Sequence, residues 1–171
     1  MRHRASRIVA VAVAGFALAL ALSGADTPAR SGSNAAWESM KTLQGEWDGL
    51  YAGKMKVSAI YRLVSNGTAL METLVSPDHT DMVTMYHVDG ARIGMTHFCS
   101  ENNQPRLKSV GSNPKRIEFT YVDATNLSSP DAKRMTGLVT TLSDADHFTQ
   151  EWTESDKGKE QKALFEFTRR K

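Results

Sequence analysis

Residues 82–99 read MVTMYHVDGARIGMTHFC. Two runs of aromatic, β-branched and apolar side chains flank Asp89-Gly90. An Asp-Gly pair between such runs signals a β-hairpin with a two-residue turn, because both central residues readily take positive φ. With Asp89 and Gly90 as those residues, Val88 faces Ala91, His87 faces Arg92 and Met82 faces His97. Opposed residues share a face of the sheet, and faces alternate along each strand. One face then carries Met82, Thr84, Tyr86, Val88, Ala91, Ile93, Met95 and His97. The other carries Val83, Met85, His87, Arg92, Gly94, Thr96 and Phe98. The two histidines point to opposite sides of the sheet, so they do not share a metal. His97 belongs to the apolar, inward face and His87 to the outward one.

The same reasoning applies one hairpin upstream, at Asn66-Gly67. Val57, Ala59, Tyr61, Leu63, Leu70, Glu72 and Leu74 form the cleaner apolar face, with Glu72 opposite Tyr61. A lone carboxylate inside a protein is costly unless it is hydrogen-bonded or protonated. The phenol across the strand is an expected partner. Four successive strands therefore line one interior with Tyr61, Glu72, Thr84, Tyr86 and His97. Met55, Leu70, Leu74, Met82, Ile93 and Met95 surround them. Apolar walls with a few convergent polar groups suit a small-molecule pocket. A packed core with one satisfied polar network is the alternative.

Outward from these hairpins the period-2 pattern continues. Strands are expected at 45–52, 54–64, 68–76, 81–88, 91–99, 104–110, 115–122, 133–142, 147–155 and 160–169, with the longest loop at 123–131. Before them, AAWESMKTL (35–43) places Ala36, Trp37, Met40 and Leu43 on one helical face, with Asn34 as N-cap. About ten strands joined by neighbouring hairpins leave edges that closure removes. The expected fold is all-β: an up-and-down antiparallel barrel of about 8–10 strands, with the short helix covering one end.

The chain has 171 residues, which suits one domain. Arg2, Arg4 and Arg7 precede the apolar run IVAVAVAGFALALALSG, followed by small residues to Ala25. That is the pattern of a secretory signal, cleaved near Ala25. Residues 1–25 are thus read as signal peptide, 26–34 as flexible lead-in and 35–171 as the barrel. The expected location is the periplasm or the extracellular medium, with no stable membrane anchor after cleavage. Of the 21 basic residues, removing those three arginines leaves 18 against 19 acidic ones, a net charge of −1. A nearly neutral chain without a basic stripe gives no electrostatic case for nucleic acid. Cys99 is the single cysteine, so an internal disulfide is excluded.

LQGEWDGLY (43–51) carries Gly45-Glu46-Trp47 at the start of the first strand, and the chain ends in ALFEFTRRK. The first stretch resembles the Gly-x-Trp signature of lipocalins and their calycin relatives, in which the Trp closes the barrel base against a basic residue of the last strand. The resemblance implies that Gly45, Trp47 and Arg169 form a structural closure. A guanidinium over an indole is favourable in its own right. The hairpin followed by THFCSENNQP is similar to uncharacterised bacterial exported lipocalin-like proteins. Ten strands and no disulfide depart from the secreted lipocalins and look more like the fatty-acid-binding and haem-binding members of the group.

The resulting functional expectation is a binding protein for a small hydrophobic molecule. Tyr61, Glu72, Thr84, Tyr86 and His97 hold its polar end. No cofactor is expected, with haem on His97 as a minor variant. An isomerase- or hydrolase-like enzyme using Glu72 and His97 is the second reading. The chain lacks a nucleophile motif, phosphate loop or metal-ligand cluster, so no catalytic or metal residue is assigned. The third reading is an interaction scaffold working through 99–106 and 123–131.

Overall fold

The structure is a computed structural model that describes residues 34–171 apart from 78 and 112. The expected signal peptide, 1–25, and the lead-in up to residue 33 lie outside the described residues.

Helix α1 (Ala35–Lys41) is followed by ten strands. These are β1 (Gly45–Tyr51), β2 (Met55–Val64), β3 (Ala69–Ser76), β4 (His79–Asp89) and β5 (Arg92–Phe98). Then come β6 (Gln104–Val110), β7 (Arg116–Thr125), β8 (Arg134–Leu142), β9 (His147–Asp156) and β10 (Lys159–Arg169). Each strand pairs antiparallel with its sequence neighbours, and β1 pairs with β10 to close the barrel. This is the all-β, up-and-down barrel that the hairpin pattern predicts. Asn34 caps α1, its side chain accepting from the Trp37 N–H. The helical face of Ala36, Trp37 and Met40, with Leu43 beyond it, is buried in the core. Asn34 Nδ2 also donates to Ala91 O at 3.2 Å, which ties the helix to the β4–β5 turn. The helix therefore covers the barrel end where that turn lies.

The β2–β3 pairing is as expected, with Tyr61 opposite Glu72. The connection is longer than two residues: Ser65, Asn66 and Gly67 all take positive φ between Val64 and Ala69. The extra residues lie symmetrically about Asn66-Gly67, so the register survives.

At β4–β5 the register differs from the expectation. His97 faces Thr84 rather than Met82, and His87 faces Gly94 rather than Arg92. The turn residues are Gly90 and Ala91, flanked by the Asp89–Arg92 pair. Of Asp89, Gly90 and Ala91 only Gly90 has positive φ, at 61°. A turn with glycine in the first central position needs no left-handed Asp, and it shifts the partners by two residues. Each strand slides by a whole side-chain repeat, so the faces are unchanged. His97 is buried and His87 exposed. The His87 ring lies on Gly94, where a Cβ would come within 3.0 Å of it.

β7 runs to Thr125, into the segment expected to be loop. A bulge sets Arg106 opposite Asp123 but Leu107 opposite Tyr121, leaving Val122 without a partner and 57% exposed. Past the bulge, Arg106–Asp123 and Thr125–Gln104 side-chain contacts carry the pairing on.

Candidate functional site

The barrel interior differs from one end to the other. At the base, the Trp47 ring meets Phe148 edge-on at 4.7 Å, and Phe148 stacks on Phe167 at 4.7 Å. Trp47 Nε1 donates to Leu43 O at 2.8 Å, so its one polar atom is satisfied. The Arg169 guanidinium lies 4.1 Å over the indole and donates to the carbonyls of Thr42, Gln44 and Ala145. Gly45 sits beneath Arg169 at φ 132°, and a Cβ there would stand 3.0 Å from the guanidinium. Gly45, Trp47 and Arg169 thus make one contact set that fills the base.

Above the base lies a buried polar layer. Tyr86 donates to Glu72 Oε2 at 2.6 Å, and Gln150 Nε2 reaches the same oxygen at 3.1 Å and Tyr61 Oη at 3.0 Å. Trp152 Nε1 donates to Gln150 Oε1 at 3.1 Å. Burial pushes the Glu72 carboxyl up, partly offset by these donors, and pushes both phenols well above their ordinary range. The phenol expected to donate to Glu72 is Tyr61, which stands opposite it but whose hydroxyl accepts from Gln150. The phenol at 2.6 Å comes from Tyr86, two strands round from Tyr61.

One step nearer the other end, Thr84 Oγ1 and His97 Nδ1 are 2.9 Å apart, and the His97 ring lies against Trp152 with centroids 4.7 Å apart. His97 Nε2 is buried with no hydrogen-bond partner. Burial depresses its pKa to about 4, so the ring is neutral at physiological pH. Thr140 Oγ1, on β8, is a second buried atom without a partner. All five residues singled out from the sequence, Tyr61, Glu72, Thr84, Tyr86 and His97, point inward and are at most 2% exposed. They form two hydrogen-bonded groups. Glu72 and His97 each bond to other residues, with Thr84 between them in the strand register.

The open space lies beyond them, at the mouth. A cavity of about 200 Å³ is bounded by Tyr51, Met55, Val57, Leu74, Met82, Met135, Ala163 and Phe165, with Ser76, Cys99 and Ser100. Over it Lys133 bridges Glu101 at 3.1 Å and Glu154 at 3.2 Å, joining β8 and β9 to the β5–β6 loop. Met55 and Met82 were expected among the apolar interior residues. Met135, Phe165, Gln150 and Trp152 were not, because they come from the far wall. Alternation within β9 was the one available signal: Phe148, Gln150 and Trp152 share a face.

Fold and interior together define a closed ten-stranded meander barrel, sealed at one end and hollow near the other. No protein-family model and no curated protein matches the chain. Among solved structures it is similar to a Nostoc punctiforme protein of unknown function from the DUF3598 family, at 12% identity and a TM-score of 0.51. The match covers 77% of this chain and 48% of that one, so the chain spans about half the length of that protein. The likeness is one of fold.

Proposed function

We propose that this chain is an exported, lipocalin-like binding protein that holds a small hydrophobic molecule in the mouth half of its barrel. The observation that carries the reading is the cavity of about 200 Å³, walled by flexible and apolar side chains, in a barrel whose other end is filled. Methionine walls adapt to guests of different outline. A space of that size suits a compact aliphatic or aromatic molecule rather than a haem, which would need the Thr84–His97 layer to repack. Tyr61, Glu72, Thr84, Tyr86 and His97 form the buried polar layer inward of the cavity, and a guest's polar end has to enter past the residues that bound it. Within that layer His97 Nε2 has no hydrogen-bond partner and is the atom that a guest's hydroxyl or carbonyl group would satisfy on reaching it. Export rests on the basic start and apolar run of residues 1–22. The test is methyl NMR of the purified barrel against a panel of medium-chain alcohols, ketones and substituted benzenes. Saturable shifts at Met55, Met82, Met135 and Leu74 support the reading. Shifts confined to outward methyls such as those of Val122 and Leu164 would remove it.

A further inference from the structure

Sulfur is concentrated at the mouth. The chain contains eight methionines and one cysteine. Met55, Met82, Met135 and Cys99 all line the one cavity of about 200 Å³. The strand register explains part of this grouping. Val83 pairs with Phe98, so the next position toward the mouth sets Met82 across from Cys99. Ser76, at the end of β3, places its hydroxyl 3.5 Å from Met55 Sδ, on the same stretch of wall. The Lys133–Glu101 bridge draws the start of β8, and with it Met135, over the loop that follows Cys99. Immediately inward from Cys99 on the same face is His97. Its Nδ1 is engaged by Thr84, while its buried Nε2 has no partner.

Among the described residues no three His, Cys, Asp or Glu side chains gather as a metal site, so the donors here are not those of a zinc or calcium centre. Thioethers and a thiolate are soft ligands, the set that selects Cu(I).

We propose that the mouth cavity is a binding site for a soft monovalent cation of the Cu(I) class, held by Cys99 and the thioethers of Met55, Met82 and Met135. On binding, the Cys99 S–H bond breaks, its proton leaves to solvent and a sulfur–metal bond forms. No electron is transferred. The thiolate neutralises the cation, and the thioethers complete the shell without adding charge. The site does not depend on the hydrophobic-guest reading: either occupant stands without the other, and a metal titration separates them.

The test is an anaerobic titration of the purified protein with Cu(I) against a chromophoric Cu(I) chelator, repeated with Ag(I) by methyl NMR. One metal per chain is expected, with the ε-methyl signals of Met55, Met82 and Met135 moving and those of Met40 and Met71 still. Met82→Leu combined with Met135→Leu keeps side-chain volume and fold, which thermal unfolding checks, and is expected to weaken binding at least roughly tenfold. Absence of one-to-one binding would overturn the proposal. So would full affinity in the double leucine variant with complete loss in Cys99→Ser, since that describes a thiol metallated alone.

Discussion

The two ends of the barrel are built from the same alternating strands and are finished in opposite ways. At the base, large aromatic side chains from β1, β9 and β10 interlock, α1 lies over them, and every polar atom of Trp47 and Arg169 described above meets a backbone carbonyl. At the mouth three methionines, Ser76, Cys99 and Ser100 stand beside Tyr51, Phe165 and aliphatic side chains around open space, and the roof is one lysine between two glutamates. The base spends its side chains on rigidity. The mouth keeps space, flexible walls and a polar rim. Dense packing and open space are thereby separated along the barrel axis.

Substitutions can break that contrast. The largest effect is expected at the base: Trp47→Ala should cost about 3–5 kcal/mol as a buried aromatic truncation, read as a drop in the urea midpoint. A midpoint left in place would show that the base is not the stabilising end. Next comes acid sensitivity through His97. Its folded pKa of about 4 lies below the ordinary 6.5. Between those values the unfolded chain takes up a proton that the folded chain refuses. Stability should therefore fall as pH drops from 6.5 toward 4, by roughly 3 kcal/mol at full extent. Chemical denaturation at stepped pH measures this, and His97→Gln should flatten the slope. Glu72 acts in the opposite sense, because burial raises its folded pKa and its contribution is lost as pH rises above 4.5.

Gly49→Ala is a sharper probe of the closing seam. A Cβ there would stand 2.6 Å from the Phe167 ring, so a loss of about 1–3 kcal/mol is expected. Glu72→Gln keeps an acceptor for Tyr86 and should cost only about 1 kcal/mol. The smallest effect belongs to the mouth. Lys133→Ala breaks two partly exposed ion pairs and should change stability by less than about 1 kcal/mol, while changing the rate at which a guest enters. If Lys133→Ala destabilised as much as Trp47→Ala, the division of labour between the ends would be wrong.

Much of this could be read from the residues, and the misses have physical causes. Period-2 alternation identified ten strands, and the Asn66-Gly67 and Asp89-Gly90 pairs located two hairpins. A turn dipeptide locates a turn without saying which residues are central, so the expected β4–β5 partners lie two residues from the observed ones. The inward and outward sets survived because a slip of a full repeat preserves parity. The β7 bulge was hidden in DATNLSSPD, whose polar composition resembles loop. The interior was legible only wall by wall. Hairpin arithmetic joins Tyr61 to Glu72 and places Tyr86 on the same face. It cannot reach Gln150, 78 residues beyond Glu72, which supplies the cross-barrel hydrogen bond. For the same reason the cavity's far side, Met135 and Phe165, was absent from the expectation.

The pairing of β1 with β10 bears on how the chain reaches this state. Every other pairing joins neighbours in sequence, so the sheet can grow hairpin by hairpin at small entropic expense. The seam alone brings together residues as far apart as Gln44 and Arg169, 125 positions along the chain. It therefore carries the largest loop-closure entropy of the pairings, and a sheet without it has two free margins. Those margins carry Glu46, Asp48, Glu160, Lys162 and Glu166 among their residues, a charged border that resists docking onto another unfinished sheet. The salt bridges from Arg170 to Glu46 and Asp48 that latch the seam draw on that same charged border.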